Sequence, residues 1–277
     1  MFHQPMTFEQ ALELRSELGT DATIINGGTD VVVAMNHGAI KPTCFLDVSR
    51  INSLRKVERQ NGHLVMGAGV TFAALGKMHI RALREASLSV GGPSIRNMGT
   101  IGGNIATASP AGDGCVALLA VNAEVQLSSK ARGDRWMPLV DYFIDYRKTA
   151  LANDELIKAV RIPHNPRSRW YKIGKRGAVN ISLVCCAISQ NEDKKTELAF
   201  GCVGPIPKIA AKASALLAGE TLTPELINDV AHLVTQEVSP IDDQRGTATY
   251  RRAMCGTLSR RLLTQLMEDD PKGDADA

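Results

Sequence analysis

Between Gly91 and Gly114 the chain places seven glycines, Gly91, Gly92, Gly99, Gly102, Gly103, Gly112 and Gly114, among Pro93, Pro110 and small polar residues. An interior glycine costs a helix about 1 kcal/mol relative to alanine, and it weakens a strand for the same entropic reason. The density therefore predicts an irregular segment that is neither regular helix nor strand. Without side chains in the way, backbone N–H groups in such a segment can approach a ligand closely. A shorter glycine loop, Asn26-Gly27-Gly28-Thr29-Asp30, ends the apolar run Ala22–Ile25. Successive N–H groups in turns of this kind form anion-binding concavities. Loops at 26–30 and 99–104 can together clasp a pyrophosphate. A tight turn between strand and helix accounts equally well for the first loop, but it does not call for the glycine density of the second.

Other phosphate motifs are excluded. The chain has no G-x-x-x-x-G-K-[ST], and Gly67-Ala68-Gly69 lacks the third glycine of a dinucleotide fingerprint, so a dinucleotide here sits in a fold other than Rossmann. A length of 277 residues with 44% hydrophobic and 22% charged residues fits two modest domains or one large one around a real core. The net charge of +3 and the 4% aromatic content argue against nucleic acid as the main partner. No apolar run approaches the roughly 18 residues of a membrane span, and Met1-Phe2-His3-Gln4-Pro5 does not read as a signal peptide. The six cysteines form no C-x-x-C pair, which predicts a cytoplasmic chain with reduced thiols. The six histidines are dispersed with no H-E-x-x-H, so no metal is expected.

Thr7-Phe8-Glu9-Gln10 reads as a capping box opening a helix whose apolar face carries Phe8, Ala11, Leu12 and Leu14. Ala22–Ile25 and Pro42–Val48 read as strands, and Asn61-Gly62 as a hairpin turn between Leu54–Val57 and Leu64–Ala68. Thr71–Ser89 predicts an interrupted helix, Cys115–Val121 a short buried helix, and Glu124–Leu127 and Leu156–Ile162 strands. A domain boundary falls at Pro163–Pro166. Strands at Arg169–Ile173, Ser182–Ser189 and Thr196–Val203 precede helices at Lys208–Leu217, Pro224–Val238 and Thr247–Met267, an order that predicts a small α+β domain. Cys185-Cys186 lies in an apolar strand, where neighbouring side chains face opposite ways, and reads as buried structural thiols. The acidic tail Glu268–Ala277 is expected to fray.

Ile25-Asn26-Gly27-Gly28-Thr29-Asp30 resembles the AGGTD loop of the FAD-binding subunits of molybdenum hydroxylases. Ser94-Ile95-Arg96-Asn97-Met98-Gly99-Thr100-Ile101-Gly102-Gly103-Asn104-Ile105, with Ser109-Pro110-Ala111-Gly112-Asp113, resembles their IRN-x-x-TIGGN and SP-x-x-D signatures. Asp243-Gln244-Arg245-Gly246 and Tyr250-Arg251-Arg252 are similar to their C-terminal D-x-RG and YRR stretches, so the likeness spans nearly the whole chain. The family includes the medium subunits of carbon monoxide, xanthine and nicotinate dehydrogenases.

The resemblance implies an α+β fold. A two-lobed FAD-binding domain of the vanillyl-alcohol-oxidase (PCMH) type would cover 1–165, with lobes of about 1–53 and 54–165, and a small α+β domain would cover 166–277. It implies non-covalent FAD, with Ile25, Asn26, Gly27, Gly28, Thr29 and Asp30 at the pyrophosphate and Thr100, Ile101, Gly102, Gly103 and Asn104 closing over it. Asp113 would lie near the ribose or adenine, although a carboxylate there also reads as the N-cap of the following helix. Thr107 and Lys172 would approach the flavin, and Leu156 would pack near flavin or adenine; a solvated strand lysine and ordinary core are the plainer readings of the last two. The chain departs from the pattern at Asn26, where the family has alanine, and it lacks the cysteine-rich insert of some relatives.

The resemblance further implies an electron-transfer subunit that needs no general acid or base of its own. Electrons would come from [2Fe-2S] clusters on a small partner subunit, fed by a large molybdenum-cofactor subunit, and would pass through FAD to NAD or another acceptor. A free-standing FAD-dependent oxidoreductase of the same superfamily is the alternative, and a nucleotide-binding module without flavin a third reading.

Overall fold

The computed structural model describes residues 1–163, 166–177 and 179–269, so the tail beyond 269 lies outside the described residues. The chain starts with β1 (Phe2–His3), α1 (Phe8–Leu18), β2 (Ala22–Ile25), α2 (Val31–Asn36) and β3 (Cys44–Asp47). The three strands form a parallel sheet in the order β1-β3-β2. α1 begins in the predicted capping box: Gln10 N–H donates to Thr7 Oγ1 while Gln10 Oε1 accepts from Thr7 N–H. Phe8 and Ala11 then turn into a small core with Leu46, Leu54 and Leu156. The apolar run after the first glycine loop is helical, yet none of its residues is buried.

Next come β4 (Val57–Gln60) and β5 (His63–Gly67), joined by Asn61 at φ 49° and Gly62 at φ 76°, the paired positive values that a two-residue hairpin turn requires. After them the chain forms α3 (Phe72–Leu75), α4 (Arg81–Ser89), α5 (Pro93–Met98), α6 (Ile101–Thr107) and α7 (Asp113–Ala120). The glycine-rich stretch thus holds two short helices, α5 and α6, and the first residues of α7, rather than the irregular segment its composition predicts. Packing explains the difference. A Cβ on Gly102 would stand 2.6 Å from Ala68 Cβ, and one on Gly114 would stand 2.8 Å from Asn104 Oδ1. These glycines let helices approach their neighbours closely, and burial of Ile101, Ile105 and all of α7 offsets their low helix propensity.

The lobe is completed by β6 (Glu124–Ser129), β7 (Gly133–Pro138), α8 (Leu139–Tyr142), the small pair β8 (Phe143–Asp145) and β9 (Lys148–Thr149), and β10 (Glu155–Pro163). β10 returns to the middle of an antiparallel sheet ordered β4-β5-β10-β6-β7.

The last third folds as β11 (Arg167–Ile173), β12 (Val184–Gln190), β13 (Thr196–Gly201), β14 (Lys208–Ile209), α9 (Ala211–Leu217), α10 (Pro224–Glu237) and α11 (Ala248–Glu268). The predicted helix from Lys208 starts three residues later, because Lys208 and Ile209 pair with Phe200 and Ala199 at the sheet edge. Cys185 joins the core built on α7, whereas Cys186 joins the core under α10 and α11. The sheet therefore buries both faces. β11 is fastened to α4 by Ala82 N–H donating to Ser168 Oγ (3.1 Å) and Trp170 N–H donating to Glu85 Oε2 (2.8 Å).

Candidate functional site

The two glycine loops meet. Gly27 lies so close to Met98 that a Cβ would collide with the Met98 carbonyl, and Gly28 holds φ 71°, a value costly for other residues. Across this contact opens a cavity of about 370 Å³ lined by both loops, among them Asn26–Asp30, Thr100, Gly103, Asn104 and Thr107. Among the described residues, no lysine or arginine is on its wall.

The loops contribute differently. From Asn26 to Val31 no backbone N–H donates to a described residue. In the second loop most amides are already spent: Ile101 N–H donates to Val70 O (3.0 Å), Gly102 to Ala68 O (2.9 Å), and Asn104 to Thr100 O (3.0 Å), whereas Thr100 N–H donates to no described residue. Gly103 N–H donates to the cap hydroxyl of Thr100 (3.2 Å). Of the two donor loops expected around one anion, the first thus keeps the longer run of uncommitted amides and the second keeps Thr100. The second loop forms an opposing wall that Gly103 leaves bare, with Thr100 Oγ1 3.1 Å from its Cβ position.

Among the described residues, one hydrogen bond spans the gap. The Thr107 hydroxyl lies 2.7 Å from Asp30 Oδ2 and 2.9 Å from Gly103 O. Asn104 Oδ1 lies 3.3 Å from the Cys115 thiol, whose ionisation is pushed up by burial and then by the nearby Asp113 charge.

A second, apolar slot of about 120 Å³ adjoins the cavity and shares Ile24, Asn26, Gly103 and Ala106 with it. Phe8, Val48, Leu54 and Leu156 line it, and Glu155 stands at its edge. Arg135 donates to both oxygens of Glu155 (2.7 and 2.9 Å) and holds its pKa down at about 2.

Of the residues singled out in the sequence, Asn26–Asp30, Thr100, Gly103, Asn104 and Thr107 line the cavity, and Gly102 and Leu156 line the slot. Ile25 and Ile101 are on neither wall; Ile101 is fully buried. Asp113 and Lys172 are also off the walls and bond each other at 2.8 Å. The helix cap before Cys115 is Gly112, not Asp113. Sequence reasoning missed Ile24, Phe72 and Val90 of the cavity and Phe8 and Val48 of the slot, because an apolar wall residue carries no signal that separates it from core.

Residues 1–165 match the family model described as the FAD binding domain in molybdopterin dehydrogenase. Residues 169–266 match the CO dehydrogenase flavoprotein C-terminal domain. The nicotinate dehydrogenase FAD-subunit of Eubacterium barkeri is 30% identical, over 96% of this chain and 96% of that protein. The xanthine dehydrogenase FAD-binding subunit of Escherichia coli O157:H7 is 26% identical, over 95% and 94%. A chain of the reconstituted CO dehydrogenase from Oligotropha carboxidovorans superposes with a TM-score of 0.89 at 27% identity, covering 96% of both chains. With matches along both parts of its length and a shared architecture, the chain belongs to the family of FAD-binding subunits of molybdenum hydroxylases, the oxidoreductase family of the CO, xanthine and nicotinate dehydrogenases.

Proposed function

We propose that the cavity and slot hold FAD non-covalently, with the pyrophosphate at Asn26–Asp30 and the adenine in the slot beside Leu156. The observation that carries this is the run of uncommitted backbone amides from Asn26 to Val31 on a cavity that opens directly into an apolar slot. Neutral donors suit a pyrophosphate buried without a lysine or arginine, and a narrow apolar slot suits a flat base. The Thr29 hydroxyl adds a further donor on the cavity wall. Thr100, Gly102, Gly103 and Asn104 form the opposing wall, and Thr107 ties it to Asp30.

The flavin ring would occupy the end marked by Val90 and Ile95. That end adjoins Ser89, whose carbonyl accepts from Lys172 Nζ at 3.0 Å, so a positive charge stands behind it. When bound, FAD supplies a store for two electrons that can be filled one at a time. The chain's own part is to bind and orient that store: the loop amides fix the pyrophosphate, the slot fixes the base, and Asp113 holds Lys172 in place.

On this reading the chain is the electron-transfer subunit of a cytoplasmic complex. A small partner with [2Fe-2S] clusters would deliver electrons drawn from a large molybdenum-cofactor subunit, and NAD or another acceptor would take them away. The test is an absorption spectrum of the purified chain with acid release and chromatography of its chromophore. FAD at near one-to-one stoichiometry is expected; FMN, or no flavin after incubation with FAD, would overturn the proposal. Copurification with large and small subunits is expected as well, and a fully active chain without them would make it a free-standing FAD oxidoreductase.

A further inference from the structure

The cavity wall carries two carboxamides in unlike situations. Asn104 is tethered, with its Oδ1 at the Cys115 thiol and packed where Gly112 and Gly114 leave room for it. Asn26 takes part in no side-chain hydrogen bond with the described residues, although it is only half-exposed. Its amide lies along the wall against Gly69, where a Cβ would stand 3.3 Å from Asn26 Nδ2. An amide offers two donors and an acceptor, and closing a site over it without partners is costly.

Its position says what the partner is. Asn26 is the first residue of the run of uncommitted amides, and it also lines the apolar slot, so its side chain stands where the anion clasp passes into the base pocket. In a nucleotide the group that joins phosphate to base is the ribose. A ligand with its pyrophosphate in the clasp and its base in the slot must set its ribose at this junction. The ribose presents vicinal hydroxyls, each both donor and acceptor, and these match a carboxamide.

We propose that Asn26 reads the adenosine ribose of FAD, its carboxamide hydrogen-bonding the 2′- or 3′-hydroxyl and so selecting a ribonucleotide at this end of the cofactor. The inference rests on the FAD reading above and deepens it. The hydrogen bond is a specificity contact, remote from the flavin ring, and it acts on affinity rather than on electron transfer.

The experiment uses the flavin-free protein and its Asn26→Ala variant, with ADP, 2′-deoxy-ADP and 3′-deoxy-ADP competing against FAD, read by flavin fluorescence. Wild type is expected to bind ADP roughly ten-fold more tightly than one of the deoxy analogues, the scale of one lost hydrogen bond. Asn26→Ala should lose that preference, binding ADP and the analogue alike. Wild type that treats all three nucleotides equally overturns the inference whatever the variant does. A preference that survives in Asn26→Ala overturns it too, because the hydroxyl is then read elsewhere. Both results leave FAD binding intact, whereas wild type that binds no FAD at all overturns the underlying reading instead.

Discussion

Lys172 Nζ lies 2.8 Å from Asp113 Oδ2, and the two side chains keep only 10% and 8% of their exposure. Asp113 is the first residue of α7 and Lys172 lies in β11, so the pair joins the part matched by the FAD-domain model to the part that follows it. Around it Ser182 Oγ donates to Asp113 Oδ1 (2.6 Å), and Lys172 Nζ also donates to the carbonyls of Ser89 (3.0 Å) and Asn180 (3.3 Å). Asp113→Asn should leave a buried ammonium without a counter-charge and destabilise the chain by about 3 kcal/mol. Replacing both partners, Asp113→Leu with Lys172→Met, should recover most of that loss, since an apolar pair avoids the desolvation of two charges. Thermal unfolding of the wild type, both singles and the double variant checks this; additive losses would show that the two residues do not act as a pair.

Gly27 and Gly103 face the same cavity but differ in what lies beyond their Cα atoms. A methyl group at Gly27 meets the Met98 carbonyl, so Gly27→Ala should push the two loops apart, lowering both stability and FAD affinity. Gly103→Ala meets nothing closer than Thr100 Oγ1 at 3.1 Å and projects from a helix, where alanine is favoured by about 1 kcal/mol. The flavin-free Gly103→Ala protein should therefore melt higher while binding FAD more weakly. Melting curves and FAD titrations of both variants separate the two effects, and tighter FAD binding by Gly103→Ala would place the cofactor elsewhere.

The same glycines mark how far the site could be read in advance. Their density was read as close approach of backbone to a ligand, whereas the close approaches at Gly102 and Gly114 are to Ala68 and Asn104 of the chain itself. It also argued against helix, and at α6 local propensity lost to packing: Ile101 and Ile105 bury apolar surface beside the fully buried α7. Which amides remained free was not legible. That depends on long-range acceptors such as Val70 O and Ala68 O, which no local pattern encodes. The slot was invisible for a related reason, since Phe8, Val48 and Leu54 come from three separate stretches of the chain and look like core in each.

Thr107 closes the cavity from the second loop onto the first through Asp30. Thr107→Val keeps the shape and removes the hydroxyl. Losing this one bond, worth about 1 kcal/mol, should weaken FAD binding several-fold, with Thr107→Ser near wild type. Isothermal titration of FAD into each flavin-free variant tests it; equal affinity for valine and serine would make the Asp30 link irrelevant to the clasp.

Glu155 ties acid stability to the slot. Its carboxylate is almost fully buried, accepts from Arg135 at 2.7 and 2.9 Å and from Ala152 N–H at 2.9 Å, and is 3.3 Å from Arg132. The Arg135 hydrogen bonds hold its pKa at about 2 in the folded chain, against about 4.3 for an ordinary glutamate. A group whose folded pKa is depressed contributes its full stability above the unfolded value and loses it as pH falls toward the folded one. The contribution is thus complete at neutral pH, declines below about 4.3 and is gone near 2. Glu155→Gln, which cannot ionise, should be less stable than wild type at pH 7 by about 2 kcal/mol, and the gap should close as the pH is lowered through that window. Urea midpoints for both proteins from pH 7 to pH 3 give the comparison. A gap that stays constant over this range would mean that the neutral acid serves Arg135 as well as the carboxylate does.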